Sequence, residues 1–293
     1  VSATNLTGNT ARFSIMLRDK AERAVEAARR QKNTQAQSGF INACLRRLQR
    51  ERESLMAAVM QDPVARYNHP AWWIERLQQD HPDHWEDLLA AAQQAPPMTL
   101  RVNRQRSTVV ETLSRLEAMG LAAKPVGLDG LQLQQAVPVQ DLPGFAEGAV
   151  SVQDAAAQLA APLLLQGLDL GQPWRVLDAC AAPGGKTGHL LEMAPHARVT
   201  ALEIDPARTR RINDNLARLG LKAEVRTADA GCPADWWSGE PWDAILLDAP
   251  CTASGIVRRH PDIRWLRRPT DSAQLAQTQA RLLETLWPTL KEG

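Results

Sequence analysis

The residues most able to do chemistry lie in four short stretches in the second half of the chain. Cys180, Ala181, Ala182, Pro183, Gly184, Gly185, Lys186 and Thr187 follow the apolar run WRVLDA (174–179). Small residues there let the backbone approach a ligand closely, and the helix predicted to follow presents free amides at its amino end. Further along, Glu203 closes RVTALEI (198–204), Asp229 closes AEVRTAD (223–229), and Asp248 and Cys251 stand in DAILLDAPC (243–251). Glu203 comes 25 residues after Asp178, where nucleotide-binding α/β folds place an acid that accepts from ribose hydroxyls. Asp205, directly before Pro206, reads instead as a helix N-cap. Three carboxylates at the ends of successive apolar runs argue for one site.

The glycine loop leaves three readings open: a phosphate loop, a dinucleotide loop or an S-adenosylmethionine loop. GGKT followed by AILLD resembles the elements of a P-loop NTPase, but that cradle needs glycine at position 180, where this chain has cysteine. A GxGxxG pattern is absent as well, which weighs against a dinucleotide enzyme. Asp248 with Cys251 joins a carboxyl group to a thiol just past a strand end. C5 of cytosine is a poor nucleophile. Addition of a thiolate to C6, with an acid supporting the ring at N3, makes C5 enamine-like and able to take a methyl group. An ordinary thiol, with a pKa of about 8.5, is only a few per cent ionised at neutral pH, so such a cysteine needs an activating environment. Cys180 reads equally well as a small buried filler, and Cys44 reads as filler on a helix stripe.

After Cys251 the segment TASGIVRRHPDIRWLRR sets Arg258, Arg259, Arg264, Arg267 and Arg268 within 11 residues. Five guanidinium groups can hold phosphates. Trp265 offers a face to a base or an apolar anchor for the loop. His260 has no nucleophile to pair with and reads as structural or RNA-contacting.

The elements that must position these groups follow from the alternation of runs. Four short apolar runs, with helical patterns at 187–194 and 206–219 between the first three and another at 272–286, predict a parallel sheet with helices on both faces. Ligands bind such sheets beyond the carboxyl ends of the strands, which is where the residues above lie. Upstream, a basic amphipathic helix is predicted from Ser38 to Val59, with Arg46, Arg47, Arg50 and Arg52 off its apolar stripe. Its arginines face either solvent or RNA. Between these parts, MTLRVN (98–103) and LQLQQAV (131–137) predict strands, Thr108 with Glu111 predicts a capping box for a helix through Met119, and Gly120 ends that helix. Strands and helix together predict a small α+β module.

With 44% hydrophobic and 23% charged residues over 293 positions, the composition excludes collagen-like, disordered and disulfide-framework classes. The net charge of +1 averages 11 basic against 5 acidic residues over positions 1–60 with an acidic remainder. Four widely spaced cysteines without CxxC predict no metal site and a reducing cytoplasm. No run reaches the roughly 18 apolar residues of a membrane span, and no signal peptide is evident, so a soluble, unexported protein without a membrane partner is expected.

With LDACAAPGGKT, LEID, DAILLDAPCTASGIVRRHPDIRW and the preceding SVQDAAAQ in view, the chain resembles the Sun/Fmu, or RsmB-type, family of 16S ribosomal RNA cytosine-5 methyltransferases, from about residue 20 to 293. The resemblance implies a Rossmann-like S-adenosylmethionine methyltransferase domain (146–293), preceded by a small α+β domain (63–145) and a partial all-helical NusB-like RNA-binding domain (1–62). It implies methylation of C5 of a 16S rRNA cytosine, of the cytosine-967 type, through a cysteine–C6 adduct, by a cytoplasmic monomer. By motif, Cys180 through Lys186, Glu203 (ribose), Asp229 (adenine) and Asp248 would hold S-adenosylmethionine. Family members place the nucleophile in a later TCS motif, and the cysteine matching Cys251 helps release the product. No TCS triplet occurs in the 293 residues. Val1 in place of methionine and the break after Lys291–Glu292–Gly293 predict a piece shortened at both ends, lacking the closing strands of its sheet. The rival to an active enzyme is a non-catalytic RNA-binding fragment.

Overall fold

In a computed structural model describing residues 23–292, the chain forms two compact units, Val1–Gln93 and Gln94–Gly293. The part of the expected amino-terminal domain on residues 1–22, and Gly293, lie outside the described residues.

In the first unit residues 23–30 are helical, and five helices follow: α1 (Ser38–Arg50), α2 (Arg52–Val59), α3 (Pro63–Tyr67), α4 (Ala71–Asp80) and α5 (Trp85–Ala92). The single amphipathic helix expected from Ser38 is two, separated at Glu51, whose φ of −105° and ψ of 19° leave the helical region. Neither half buries a residue, and Cys44, expected as filler, is exposed. Asp62 caps α3 by accepting the Val64 N–H at 2.9 Å, with Pro63 at the first helical position. Tyr67, Ile74 and Leu89 form a small core with Leu77 and Trp85 against them.

The second unit holds two sheets. The first is antiparallel, in the order β2 (Ala123–Val126), β3 (Gly130–Leu133), β1 (Met98–Val102), β4 (Val150–Val152). Helix α6 (Val109–Ala118) begins with the expected box: Thr108 Oγ1 accepts from Glu111 N–H at 3.1 Å, and Glu111 accepts from Thr108 N–H at 3.0 Å. Strand β4 lies beyond the boundary expected at residue 145, because Val150–Val152 pairs with Leu100–Val102 in register. The predicted strand 131–137 is shorter, ending at Leu133.

The second sheet is parallel, in the order β7 (Glu224–Thr227), β6 (Arg198–Glu203), β5 (Arg175–Ala179), β8 (Ala244–Leu247). Helix α7 (Ala160–Leu164) precedes it; α8 (Gly185–Met193) and α9 (Pro206–Leu219) connect β5 to β6 and β6 to β7; and α10 (Ile263–Leu266) and α11 (Asp271–Leu286) follow β8. This is a Rossmann-like arrangement. Apolar strand faces pack on α7 to α9 on one side (Val176, Leu190, Ala201, Ile212) and on α11 and two tryptophans on the other (Leu177, Leu202, Trp236, Trp242, Leu282, Leu286). Because β6 and β8 flank β5, the chain direction of the connections reverses at β5, and a crevice opens beyond its carboxyl end. Leu290 forms a parallel bridge with Trp242, extending the hydrogen bonding next to β8.

Candidate functional site

Beyond β5 the backbone turns sharply: Cys180 has φ +64° and Gly184 has φ +90°. A Cβ on Gly184 would lie 3.1 Å from Ile212 Cγ2 and 3.2 Å from its Cα, so left-handed backbone and close packing on α9 both require glycine. Helix α8 starts at Gly185, which aims its first amides at the crevice. Lys186 reaches across and donates from Nζ to Asp248 Oδ2, joining the loop to the end of β8. Beneath the loop Asp178 is fully buried, and Thr187 Oγ1 donates to its Oδ2 at 2.6 Å. Burial pushes this carboxyl up to about 7, against the opposing effects of the Thr187 hydroxyl and the Lys186 charge.

Glu203 is buried at the end of β6. Its Oε1 accepts from Asp205 N–H at 3.1 Å and from Arg208 Nη1 at 3.4 Å, while Oε2 accepts no hydrogen bond among the described residues and has the half-exposed Arg208 guanidinium 3.4 Å away as an ion-pair partner. Asp205 itself caps α9, accepting Ala207 N–H at 2.7 Å, as its place before Pro206 predicts. Asp229 folds its loop back, accepting Gly231 N–H at 2.8 Å on Oδ1, and Arg281 of α11 stands 3.6 Å from its Oδ2. Cys180, Glu203, Ile204, Asp229, Ala230 and Pro250 border an open cleft of about 500 Å³, rimmed by Arg208 and Arg281. Sequence reading missed both rim arginines, because nothing in helical spacing tells an arginine above a cleft from a solvated one. Burial, and then the nearby Glu203 charge, push the Cys180 thiol up to about 11, so it stands as a neutral wall of the cleft.

The Cys251 thiol is exposed, and its turn is braced from three directions. Gln279 Nε2 donates to Pro250 O at 2.8 Å, Arg267 Nε donates to Thr252 O at 2.6 Å, and Ala253, at φ +58°, turns its N–H to Sγ at 3.4 Å.

The arginine-rich segment departs from the expectation of five phosphate-facing groups. Arg258 donates to Ala95 O at 2.6 Å, and Arg259 donates to Asp154 Oδ2 at 2.9 Å and Pro97 O at 3.2 Å. Arg264 is 2% exposed and donates to Val257 O, and Arg267 holds the Cys251 turn. Carbonyls in these irregular loops need donors, and guanidinium groups supply them. Arg268, His260 and Trp265 are exposed, with Trp265 at 51%. Among the described residues no three His, Cys, Asp or Glu side chains are grouped to hold a metal, and no helix is long and apolar enough to cross a membrane.

Residues 166–293 match the family model of the 16S rRNA methyltransferase RsmB/F, and residues 69–140 match that of the RsmF/B-like ferredoxin-like domain. Ribosomal RNA small subunit methyltransferase B of Serratia proteamaculans (strain 568) is 48% identical over 257 residues, 87% of this chain and 59% of the relative. The same-named protein of Vibrio cholerae serotype O1 is 47% identical over 258 residues, 87% of this chain and 58% of the relative. This chain thus spans under two thirds of the length of the curated relatives it matches. The solved structure of a methyltransferase homologue from Pyrococcus horikoshii superposes with a TM-score of 0.66 at 28% identity, covering 78% of this chain and 72% of that one. Over residues 69–140 and 166–293 the chain thus carries the two domains of the RsmB/F family.

Proposed function

We propose that this protein belongs to the machinery that methylates C5 of a cytosine in 16S rRNA, of the cytosine-967 type, with S-adenosylmethionine as methyl donor. The observation that carries this reading is the cleft at the switch point, where Glu203 Oε2 is buried, accepts no hydrogen bond and has only the Arg208 charge 3.4 Å away, and where Cys180, the first residue of the glycine loop, and Pro250, next to Cys251, line the walls. A buried carboxylate oxygen that accepts no hydrogen bond is costly unless something completes it, and ribose hydroxyls are suitable donors. The donor set therefore fits: Glu203 would take the ribose, Asp229 and its loop the adenine end, and Cys180 through Lys186 with Asp248 the amino-acid end. When bound, S-adenosylmethionine supplies an electrophilic methyl on a sulfonium.

The remaining chemistry falls to side chains and RNA. A thiolate adds to C6 of the cytosine, and the pair of electrons displaced toward C5 takes the methyl. Loss of the C5 proton then expels the thiolate and restores the ring. Asp248, close to Cys251 in sequence and held by Lys186, would support the pyrimidine at N3. The resemblance assigns the adding thiolate to a TCS cysteine and the release step to Cys251. Arg268 and His260, both exposed, would meet RNA phosphates, and Trp265 would meet a base. The amino-terminal helices would form part of a NusB-like RNA-binding domain, and the protein would act as a monomer in the cytoplasm.

The experiment uses 16S rRNA tritiated at cytosine C5 with S-adenosylmethionine present. Tritium released to water, with one methyl gained per tritium lost, supports the reading. RNA binding without release favours the second reading, a non-catalytic RNA-binding protein, for which the outward Arg268 and the exposed α1 arginines speak.

A further inference from the structure

Arg101 lies near the end of β1, in the antiparallel sheet, yet its guanidinium is buried against α8, the helix of the parallel-sheet domain that follows the glycine loop. It is 0% exposed. Its Nη2 and Nε donate to Glu192 Oε1 and Oε2 of α8 at 2.7 and 3.0 Å, a two-point fork. Its Nη1 donates to Gly185 O at 2.8 Å and also to Gln153 Oε1. Gln153, just past β4, is itself fixed: its N–H donates to Thr99 O at 3.0 Å, and its carbonyl accepts from Gln158 Nε2 at 3.1 Å.

We propose that Arg101, with Gln153, is a positioning residue for the cofactor loop, so that the small antiparallel sheet is a working part of the methyl-donor site. This rests on the cofactor reading above. The Gly185 carbonyl belongs to the peptide whose other end is the Lys186 N–H, one of the first-turn amides of α8 that have no acceptor within the helix. Lys186 is also the side chain that reaches Asp248. Glu192 sets the far end of α8 and Gly185 its near end, and a rigid fork holding both determines where the loop amides and Lys186 point. An ion pair needed for packing alone is replaceable, because a buried pair exchanged for apolar residues of like volume is often neutral or stabilising. A positioning role is not replaceable in that way, since no apolar side chain can hold the Gly185 carbonyl.

The experiment follows from that contrast. The double variant Arg101→Met/Glu192→Leu is compared with the parent chain in thermal midpoint and in S-adenosylhomocysteine affinity by calorimetry. A midpoint close to the parent's with binding weakened at least tenfold is expected; a similar midpoint with unchanged affinity overturns the proposal. If the double variant does not fold, Arg101→Lys decides, since it keeps the charge opposite Glu192 but loses the fork. Faster hydrogen exchange at the amides of residues 185–188, measured without ligand, supports positioning, and unchanged exchange overturns it. A parent chain that does not bind S-adenosylhomocysteine refutes the cofactor reading, and the exchange measurement then judges Arg101 separately.

Discussion

Thr187 Oγ1 donates a 2.6 Å hydrogen bond to Asp178 Oδ2, while Asp178 Oδ1 is buried without a hydrogen-bond partner among the described residues. Burial raises this carboxyl from 3.8 to about 7. An acid raised on folding stabilises the fold while it is protonated. That contribution is fully present below about pH 4, is lost as pH rises to about 7, and stays lost above it. Asp178→Asn keeps an acceptor for Thr187 and removes the titration. Its thermal midpoint should be nearly flat from pH 5 to 8, and at pH 8 it should exceed the parent's stability by on the order of a few kcal/mol. Scanning calorimetry at both pH values checks this. A variant that follows the parent's pH dependence would contradict it.

Gly184→Ala combines a φ of +90° with a Cβ 3.1 Å from Ile212 Cγ2. The expected loss is about 1–3 kcal/mol of stability, together with weaker cofactor binding as the loop shifts. Ile212→Ala, which removes the Cγ2 facing the new Cβ, should make the loss in the double variant smaller than the sum of the two single losses. Denaturant melts of the two single variants and the double variant test the coupling.

The cysteines should separate by reactivity. Cys180 is held protonated by burial and the nearby carboxylates, up to about 11, whereas Cys251 is exposed on its braced turn. At pH 8 iodoacetamide should therefore modify Cys251 well before Cys180. S-adenosylhomocysteine should slow Cys180 further, because Cys180 lines the cleft. Peptide mapping over time reads both rates.

Among the arginines, Arg268 is the outward one, while Arg267 supports the Cys251 turn. Arg268→Ala should weaken RNA binding and lower the salt slope of the affinity by close to 1, the signature of one lost phosphate contact. Arg267→Met should leave that slope unchanged and instead alter the alkylation rate of Cys251. Equal effects of the two on the slope would return Arg267 to the RNA surface.

What could be read from sequence depended on how local the cause was. Helix α9 was legible to its ends, because Asp205-Pro206 starts it and Gly220, at φ +70°, stops it, all through contacts within a few residues. Strands β5, β6 and β8 and their terminal carboxylates were legible because each run is mostly apolar and ends abruptly, whereas β7, Glu-Val-Arg-Thr, was legible through its place after α9 and before Asp229. Strand β2 was not, since Ala123-Lys-Pro-Val126 has a single β-former and a proline within it, and owes its strand to pairing with β3. The break at Glu51 was hidden by an apolar period that runs through it. Arginine counts could not show that Arg264 is buried or that Arg258 and Arg259 satisfy carbonyls more than 100 residues away, and Arg101 in MTLRV gave no sign of its partner Glu192.

Whether the cleft between Glu203, Asp229 and Cys180 takes the methyl donor is decided by calorimetric titration of S-adenosylhomocysteine into this chain and its Glu203→Ala variant. Saturable binding to the parent is expected, with a loss of about 1–3 kcal/mol, roughly ten- to hundredfold, in the variant. Equal dissociation constants for the two, or no binding by the parent, would contradict it.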